Sequence, residues 1–374
     1  MKREFIKGIL ILIAIIILSS CNINNSFKSI SEIRISLESD VLIDSEKPFK
    51  IREFKPYLND QWIGKAISYG CYRKGQAPWG TGPSDVEIKQ DLNIISAYWN
   101  LIRIYNADND TERILESIKE HSFPVKVMLG IWLEKESENS IGKEGNVNNV
   151  LRGIELARKY PEIVIAVNAG NETQVYWSGH RMESANLLKY IRVVRNNIAQ
   201  PVTTADDYNF WNKSESKQIA SEVDFIVTHI YPLWNSKLLN ESISWMSKEL
   251  AVINSLHEDK SIILGEIGWA TNYNPEKKGQ GQQGTLIKGD VSLQTQGEFL
   301  IMLDKWIEAN RTTTFLFEAF DELWKGGAEN TGSNEIEKNW GAFYENREPK
   351  QSFINYQKYV NEHNQKIRHG GNNE

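Results

Sequence analysis

Residues 163–172 read Ile163-Val164-Ile165-Ala166-Val167-Asn168-Ala169-Gly170-Asn171-Glu172. Five apolar residues in succession leave no polar face, the pattern of a strand buried on both sides. The run then stops at a glycine, an amide and a carboxylate. Comparable runs lie on either side of it: Ile63–Tyr69, Leu101–Tyr105 and Val125–Ile131 before, and Val202–Ala205, Phe225–Tyr231, Ile262–Ile267 and Thr314–Phe320 after. Between them fall amphipathic stretches that predict helices over Pro83–Tyr98, with Ser84 as N-cap, Asp110–His121, with Asp110 as cap, Val147–Tyr160, Met182–Ile198, Ser242–Leu256 and Ser292–Asn310. Strand alternating with helix predicts the α/β class with a parallel sheet. Eight strand candidates over some 300 residues fit a single (β/α)8 TIM barrel better than an open sheet. The alternation weakens at residues 206–224, which are irregular.

The barrel is expected over residues 61–360. Residues 1–20 are read as a leader: Lys2, Arg3 and Lys7 precede an apolar run from Gly8 to Leu18 that is too short to span a membrane comfortably. It ends in Leu18-Ser19-Ser20-Cys21, which resembles the lipobox of bacterial lipoproteins. The resemblance implies lipidation of Cys21 and display on the cell envelope, on a face the sequence leaves open; the alternative is a plain signal peptide with a chance cysteine. Residues 21–60 are read as a tether with a segment lying against the main domain, and 361–374 as a polar, disordered tail. Cys21 and Cys71 are the only cysteines. With the first lipidated no internal disulfide remains, and Cys71 is expected as a small buried residue.

The chain of 374 residues is 40% hydrophobic and 25% charged, which allows a large core. Its formal charge is −6, and losing Lys2, Arg3, Lys7 and Glu4 with the leader makes it −8. No basic stripe appears, which argues against a nucleic-acid partner. Twelve Trp, fourteen Tyr and thirteen Phe are an unusual supply of flat rings, of the kind that stacks on sugars or bases.

In such a barrel chemistry gathers at the carboxyl ends of the strands. There the fourth run leads into Asn171-Glu172, the seventh ends Gly265-Glu266-Ile267-Gly268-Trp269, and the eighth runs into Glu318-Ala319-Phe320-Asp321-Glu322-Leu323-Trp324-Lys325. A carboxylate closing an apolar strand is costly to bury unless it is paired. Two carboxylates across one pocket can split a glycosidic bond, one giving a proton to the leaving oxygen while the other attacks or assists at the anomeric carbon. Each could instead be a solvated residue opening a loop.

Glutamates after strands four and seven resemble a clan of barrel glycosidases. Within it, Ala169–Glu172, Gly265–Trp269 and Phe317–Lys325 look like glycoside hydrolase family 17, supported by Arg103-Ile104-Tyr105, Val202–Ala205, Tyr231-Pro232 and Trp340-Gly341. The resemblance runs from Trp62 to Lys350. It implies a retaining enzyme of β-1,3-glucan such as laminarin, with Glu172 as acid/base and Glu266 as nucleophile. It further implies that Asn171 holds the sugar 2-hydroxyl, that Tyr105 and Tyr231 touch the sugar or orient Glu266, and that Glu322 and Lys325 form a supporting charged pair. Trp269, Trp324 and Trp340 become candidate stacking platforms, and Asp206 a weak candidate for contact. The sequence departs from the family pattern at Ala270, where proline is common, and in the long loop Thr271–Asp290.

No metal is expected, since the six His lack ligand spacing. No cofactor is expected either, there being no esterase elbow or phosphate loop. A monomer is expected. A β-1,3-glucanosyltransferase on the same site and a non-catalytic glycan-binding lipoprotein are the alternatives to hydrolysis.

Overall fold

The computed structural model describes residues 27–39, 43–136, 141–276, 284–325 and 335–370. Cys21 and the leader lie outside the described residues. Eight strands close into a parallel barrel: β1 (Lys65–Ser68), β2 (Leu101–Ile104), β3 (Lys126–Ile131), β4 (Val164–Asn171), β5 (Val202–Asp207), β6 (Ile226–His229), β7 (Ile262–Ile267) and β8 (Thr314–Leu316). Each strand pairs with its sequence neighbour, and β8 returns to β1 through Thr314–Lys65 and Leu316–Ile67. The barrel expected from the alternating pattern is therefore the observed fold.

Among the described residues the first helix is α1 (Ile30–Glu38), and the helices around the barrel are α2 (Asp85–Ser96), α3 (Asn109–Glu120), α4 (Ile141–Lys159), α5 (Ser184–Asn197), α6 (Leu239–Leu256), α7 (Leu293–Asn310) and α8 (Gln351–Gly370). Ser84 caps α2 in a reciprocal capping box with Glu87. For α3 the expected cap is wrong by two residues: Asp108 accepts from the Thr111 N–H at 2.9 Å, and Asp110 lies inside the first turn. The irregular stretch between β5 and β6 holds two single-turn helices, Tyr208–Trp211 and Lys217–Ala220, anchored where Trp211 Nε1 donates to Val227 O at 3.0 Å.

Ala66, Leu101, Met128, Ala166, Ala205, Val227, Ile263 and Phe315 form a cluster of their own inside the barrel, while the larger core lies between strands and helices. The stretch before the barrel supplies its floor. Phe54 stacks on Phe225 at 4.7 Å, and Arg52 donates to the carbonyls of Arg195, Ile198 and Gln200. In α1, Ile33 and Leu37 are buried against α4 and α5. Described residues 27–39 and 43–60 thus lie against the domain. At the other end residues 371–374 lie outside the described residues, and the disordered tail expected over 361–374 is corrected as far as Gly370, to which α8 runs on. Pairs one turn apart continue it, with Lys358 facing Glu362 and the Tyr359 ring stacked on His363. Among the described residues, no helix is long and apolar enough to cross a membrane.

Candidate active site

Glu172 follows β4 in a turn that the sequence makes possible. Gly170 has φ 89°, a left-handed backbone that only glycine adopts freely, and Glu172 itself has φ 51°. The Glu172 N–H donates to Ala205 O on β5 at 2.8 Å, holding the unusual turn in place. Asp206 reinforces it from below. Fully buried, its carboxylate accepts from the backbone N–H groups of Gln174, Val175 and Asp207 at 2.8, 3.1 and 2.9 Å. Asp206 is therefore a support for the loop after Glu172, out of reach of solvent.

Glu266 ends β7 and is buried. Its Oε1 accepts from Arg103 Nη1 at 2.8 Å, and its Oε2 accepts from the Tyr231 hydroxyl at 2.7 Å. Arg103, wholly buried on β2, also donates through Nη1 to Gly265 O at 3.0 Å and His229 Nε2 at 3.1 Å, and through Nη2 to Asn171 Oδ1 at 2.5 Å. Since a guanidinium only donates, Nε2 of His229 is an acceptor and Nδ1 carries the hydrogen. Nδ1–H then donates to Glu172 Oε1, 2.8 Å away. One chain of contacts joins the two glutamates, and Asn171 is turned so that its Nδ2 remains as a donor. Tyr105 lies under Arg103, whose guanidinium carbon stands 4.6 Å from the ring centre; its hydroxyl is buried without a hydrogen-bond partner.

The surroundings push the two carboxyls in opposite directions. Burial, with the charge of Glu266, raises Glu172 well above its usual 4.5. Burial also opposes ionisation of Glu266, but the imidazole of His229, the guanidinium of Arg103 and the Tyr231 phenol outweigh it and hold that carboxyl below its usual range. Burial takes His229 down to about 4, so it is neutral at ordinary pH and Arg103 carries the positive charge.

Glu172, His229 and Glu266 are, among the described residues, the group of ligand-type side chains whose donor atoms converge, all within 4.8 Å of one another. Arg103 already places a fixed positive charge against two of the three, which opposes a divalent cation there.

Beyond β8, Lys325 bridges Glu318 and Glu322 at 2.7 Å each, so the expected Glu322–Lys325 pair exists as part of a triad. Glu322 Oε1 also accepts from Trp324 Nε1 at 2.9 Å. Glu337 stands half-buried near this triad. Burial raises its carboxyl; Lys325 opposes the shift and Glu266 adds to it.

Two expected platforms are corrected. Trp269 and Trp340 are each only 1% exposed and cannot stack on a ligand. Trp269 packs against Phe299 and donates to Asp290 O at 2.9 Å. Trp340 is walled in by Tyr231, Trp234 and Phe317, and so braces Tyr231 from behind. Gly268 permits this closeness, because a Cβ there would meet Phe317 O at 2.3 Å. Cys71 is buried and free, with its thiol pushed up by burial, as a packing residue should be.

Sequence reading missed Arg103, His229 and Glu337 as site residues. A charge in the apolar run Leu101–Tyr105 and an imidazole closing Phe225–His229 were the available signals.

Residues 66–341 match the family of BtgE/BtgC glycoside hydrolase domains. A putative glucan endo-1,3-beta-glucosidase, btgC, of Aspergillus niger is 28% identical over a match that covers 81% of this chain and 45% of that protein. The glucan endo-1,3-beta-glucosidase btgC of Emericella nidulans is 25% identical over 71% of this chain and 42% of its own. The chain thus spans less than half the length of these relatives. Among solved structures, the family 17 β-1,3-glucanosyltransferase of Rhizomucor miehei superposes with a TM-score of 0.59 at 18% identity, over 77% of this chain and 96% of that one. A β-glucuronidase of Ruminococcus gnavus gives 0.61 at 16%, over 83% and 52%. These two likenesses bear on the fold alone. The family match covers well over half of the sequence, and the chain belongs to the BtgE/BtgC glycoside hydrolase family.

Proposed function

We propose that this domain cuts β-1,3-glucan with retention of configuration, Glu172 serving as acid/base and Glu266 as nucleophile. The observation that carries the reading is one oxygen of each carboxyl within 4.8 Å of the other, in surroundings that favour a proton on Glu172 and a charge on Glu266. That closeness agrees with the separation of about 5–5.5 Å typical of retaining enzymes and falls short of the roughly 6.5–9.5 Å that leaves room for water in inverting ones.

In the first step the bond from the anomeric carbon to the glycosidic oxygen breaks. The oxygen takes the Glu172 proton while a Glu266 oxygen bonds to the carbon. Arg103 and Tyr231 each hold one oxygen of Glu266, which fixes the plane of the attacking carboxylate. His229, donating to Glu172 Oε1, leaves Oε2 to carry the proton to the leaving group. In the second step Glu172 takes a proton from water as that water attacks the anomeric carbon and frees Glu266. Asn171 Nδ2 is placed to hold the sugar 2-hydroxyl through both steps.

The substrate class rests on the btgC relatives, named as endo-1,3-beta-glucosidases, and on a mutant of the Rhizomucor miehei transferase that was solved with laminaritriose. The same transferase favours a second reading, in which a sugar hydroxyl replaces water in the second step. Attachment to the envelope through lipidated Cys21 completes the proposal. Reducing ends released from laminarin by wild type and by Glu266→Ala test the catalytic core of it. The variant should fall to background, and equal release would overturn the reading. Products longer than the laminari-oligosaccharide supplied would mark transfer.

A further inference from the structure

Among the described residues, Trp79 is the most exposed large hydrophobic side chain of the loops above the barrel, at 76%. An indole is costly to leave in water, and a single one on a surface needs no explanation. This one is not single. Its ring stands at 90° to Trp324, 5.3 Å between centres, and Trp324 is clamped in turn. Tyr72 abuts it edge-on at 6.1 Å, and its Nε1–H is held by Glu322. The loop that lifts Trp79 is closed beneath it, with the Gly80 N–H donating to Ala77 O at 3.0 Å and the Ala77 N–H to Thr81 O at 3.4 Å. Trp79 follows β1 and Trp324 follows β8, which are neighbours in the barrel, whereas Glu172 follows β4 at the far rim.

We infer that Trp79 and Trp324 form a perpendicular corner that grips a distal sugar of the β-glucan chain on the glycosyl-donor side of the cut. This rests on the proposed roles of the two glutamates. Glu172 protonates the leaving oxygen, so the departing part of the chain lies toward β4, and the part retained on Glu266 extends past β7 toward β8 and β1. A β-linked glucose presents apolar C–H faces that pack on indoles. A 1,3-linked chain turns at every residue, and two flat walls at a right angle suit a turning chain better than one long platform does.

The test is the affinity of full-chain Glu266→Ala protein for laminari-oligosaccharides of two to seven sugars, measured by calorimetry with and without a second change at Trp79. Trp79→Ala should weaken the longest ligand by about tenfold, the loss shrinking steadily as the ligand shortens. Trp79→Phe should restore most of the affinity, and Val86→Ala, an exposed site on α2, should change nothing. A Trp79→Ala loss equal at every length, or none at the longest, would overturn the corner. The parent reading fails separately, if Glu266→Ala retains laminarin hydrolysis.

Discussion

Replacing Arg103 with methionine removes the buried positive charge from beside Glu266 while keeping a long apolar side chain on β2. The guanidinium Nη1 lies 2.8 Å from Glu266 Oε1. Two unit charges at that distance attract by about 6 kcal/mol at an effective dielectric of about 20, an upper bound because guanidinium charge is spread. A hydrogen bond to a charged group contributes about 1.5–3 kcal/mol. Losing even that lower figure shifts the balance between ionised and protonated Glu266 roughly 10- to 150-fold toward the protonated form. Starting from a carboxyl held below its usual range, the nucleophile would take up a proton more readily as pH falls. The assay is the pH profile of kcat/KM on a soluble laminari-oligosaccharide. Its acid limb should move to higher pH, raising the ratio of activity at pH 7 to that at pH 5 above the wild-type ratio. Arg103→Lys keeps the charge and should move the limb less, though it cannot span Glu266, His229 and Asn171 together. A folded Arg103→Met protein whose acid limb stays at the wild-type position would refute the assignment of Arg103 as one of the groups that keep Glu266 ionised.

Three further outcomes follow from other parts of the molecule. Trp269→Ala should cost about 3–5 kcal/mol of stability by denaturant unfolding, leaving KM little changed if the folded fraction is assayed, because the ring packs on Phe299 away from ligand; a large KM effect at unchanged stability would reinstate it as a platform. Burial pushes the Asp207 carboxyl from its usual 3.8 up to about 7. The folded state therefore binds more protons than the unfolded one between about pH 4 and 7, so this group makes stability fall as pH rises through that window, by up to ~4 kcal/mol. Asp207→Asn keeps the acceptor for the Asn209 N–H, and it should match wild type near pH 4 and exceed it above pH 7; a gain at pH 4 alone would contradict the sign. Cys21→Ser should move the protein from the membrane fraction to the soluble fraction of expressing bacteria, and unchanged partition would remove the lipid anchor from the proposal.

What the sequence disclosed depended on whether a signal was local. Buried parallel strands have no polar face, so runs such as Ile262–Ile267 declare themselves, and Glu172 and Glu266 stand out as carboxylates ending such runs. The Ser84 cap was equally readable, since a serine three residues before Glu87 meets the requirement of a capping box. Asp108 and Asp110 both satisfy the rule for a cap, and only the backbone angles choose between them. Trp269 and Trp340 have the composition of sugar platforms and the environment of a core, a distinction made by α7 and by Tyr231, far away in sequence. Arg103 and His229 were legible in principle: each places polarity in an apolar strand, and neither could be buried without a partner. Trp79 offered nothing to read, because its significance lies in its angle to Trp324 across the join of β8 and β1.

The account turns on whether the sugar is passed to Glu266 before water receives it, and the anomeric configuration of fresh product reports this directly. Proton NMR of a laminari-oligosaccharide mixed with wild-type protein, recorded before mutarotation, should show the β-anomeric signal rising first and the α signal following at the rate of spontaneous equilibration. Initial accumulation of the α-anomer would mean direct displacement by water and would contradict double displacement through Glu266.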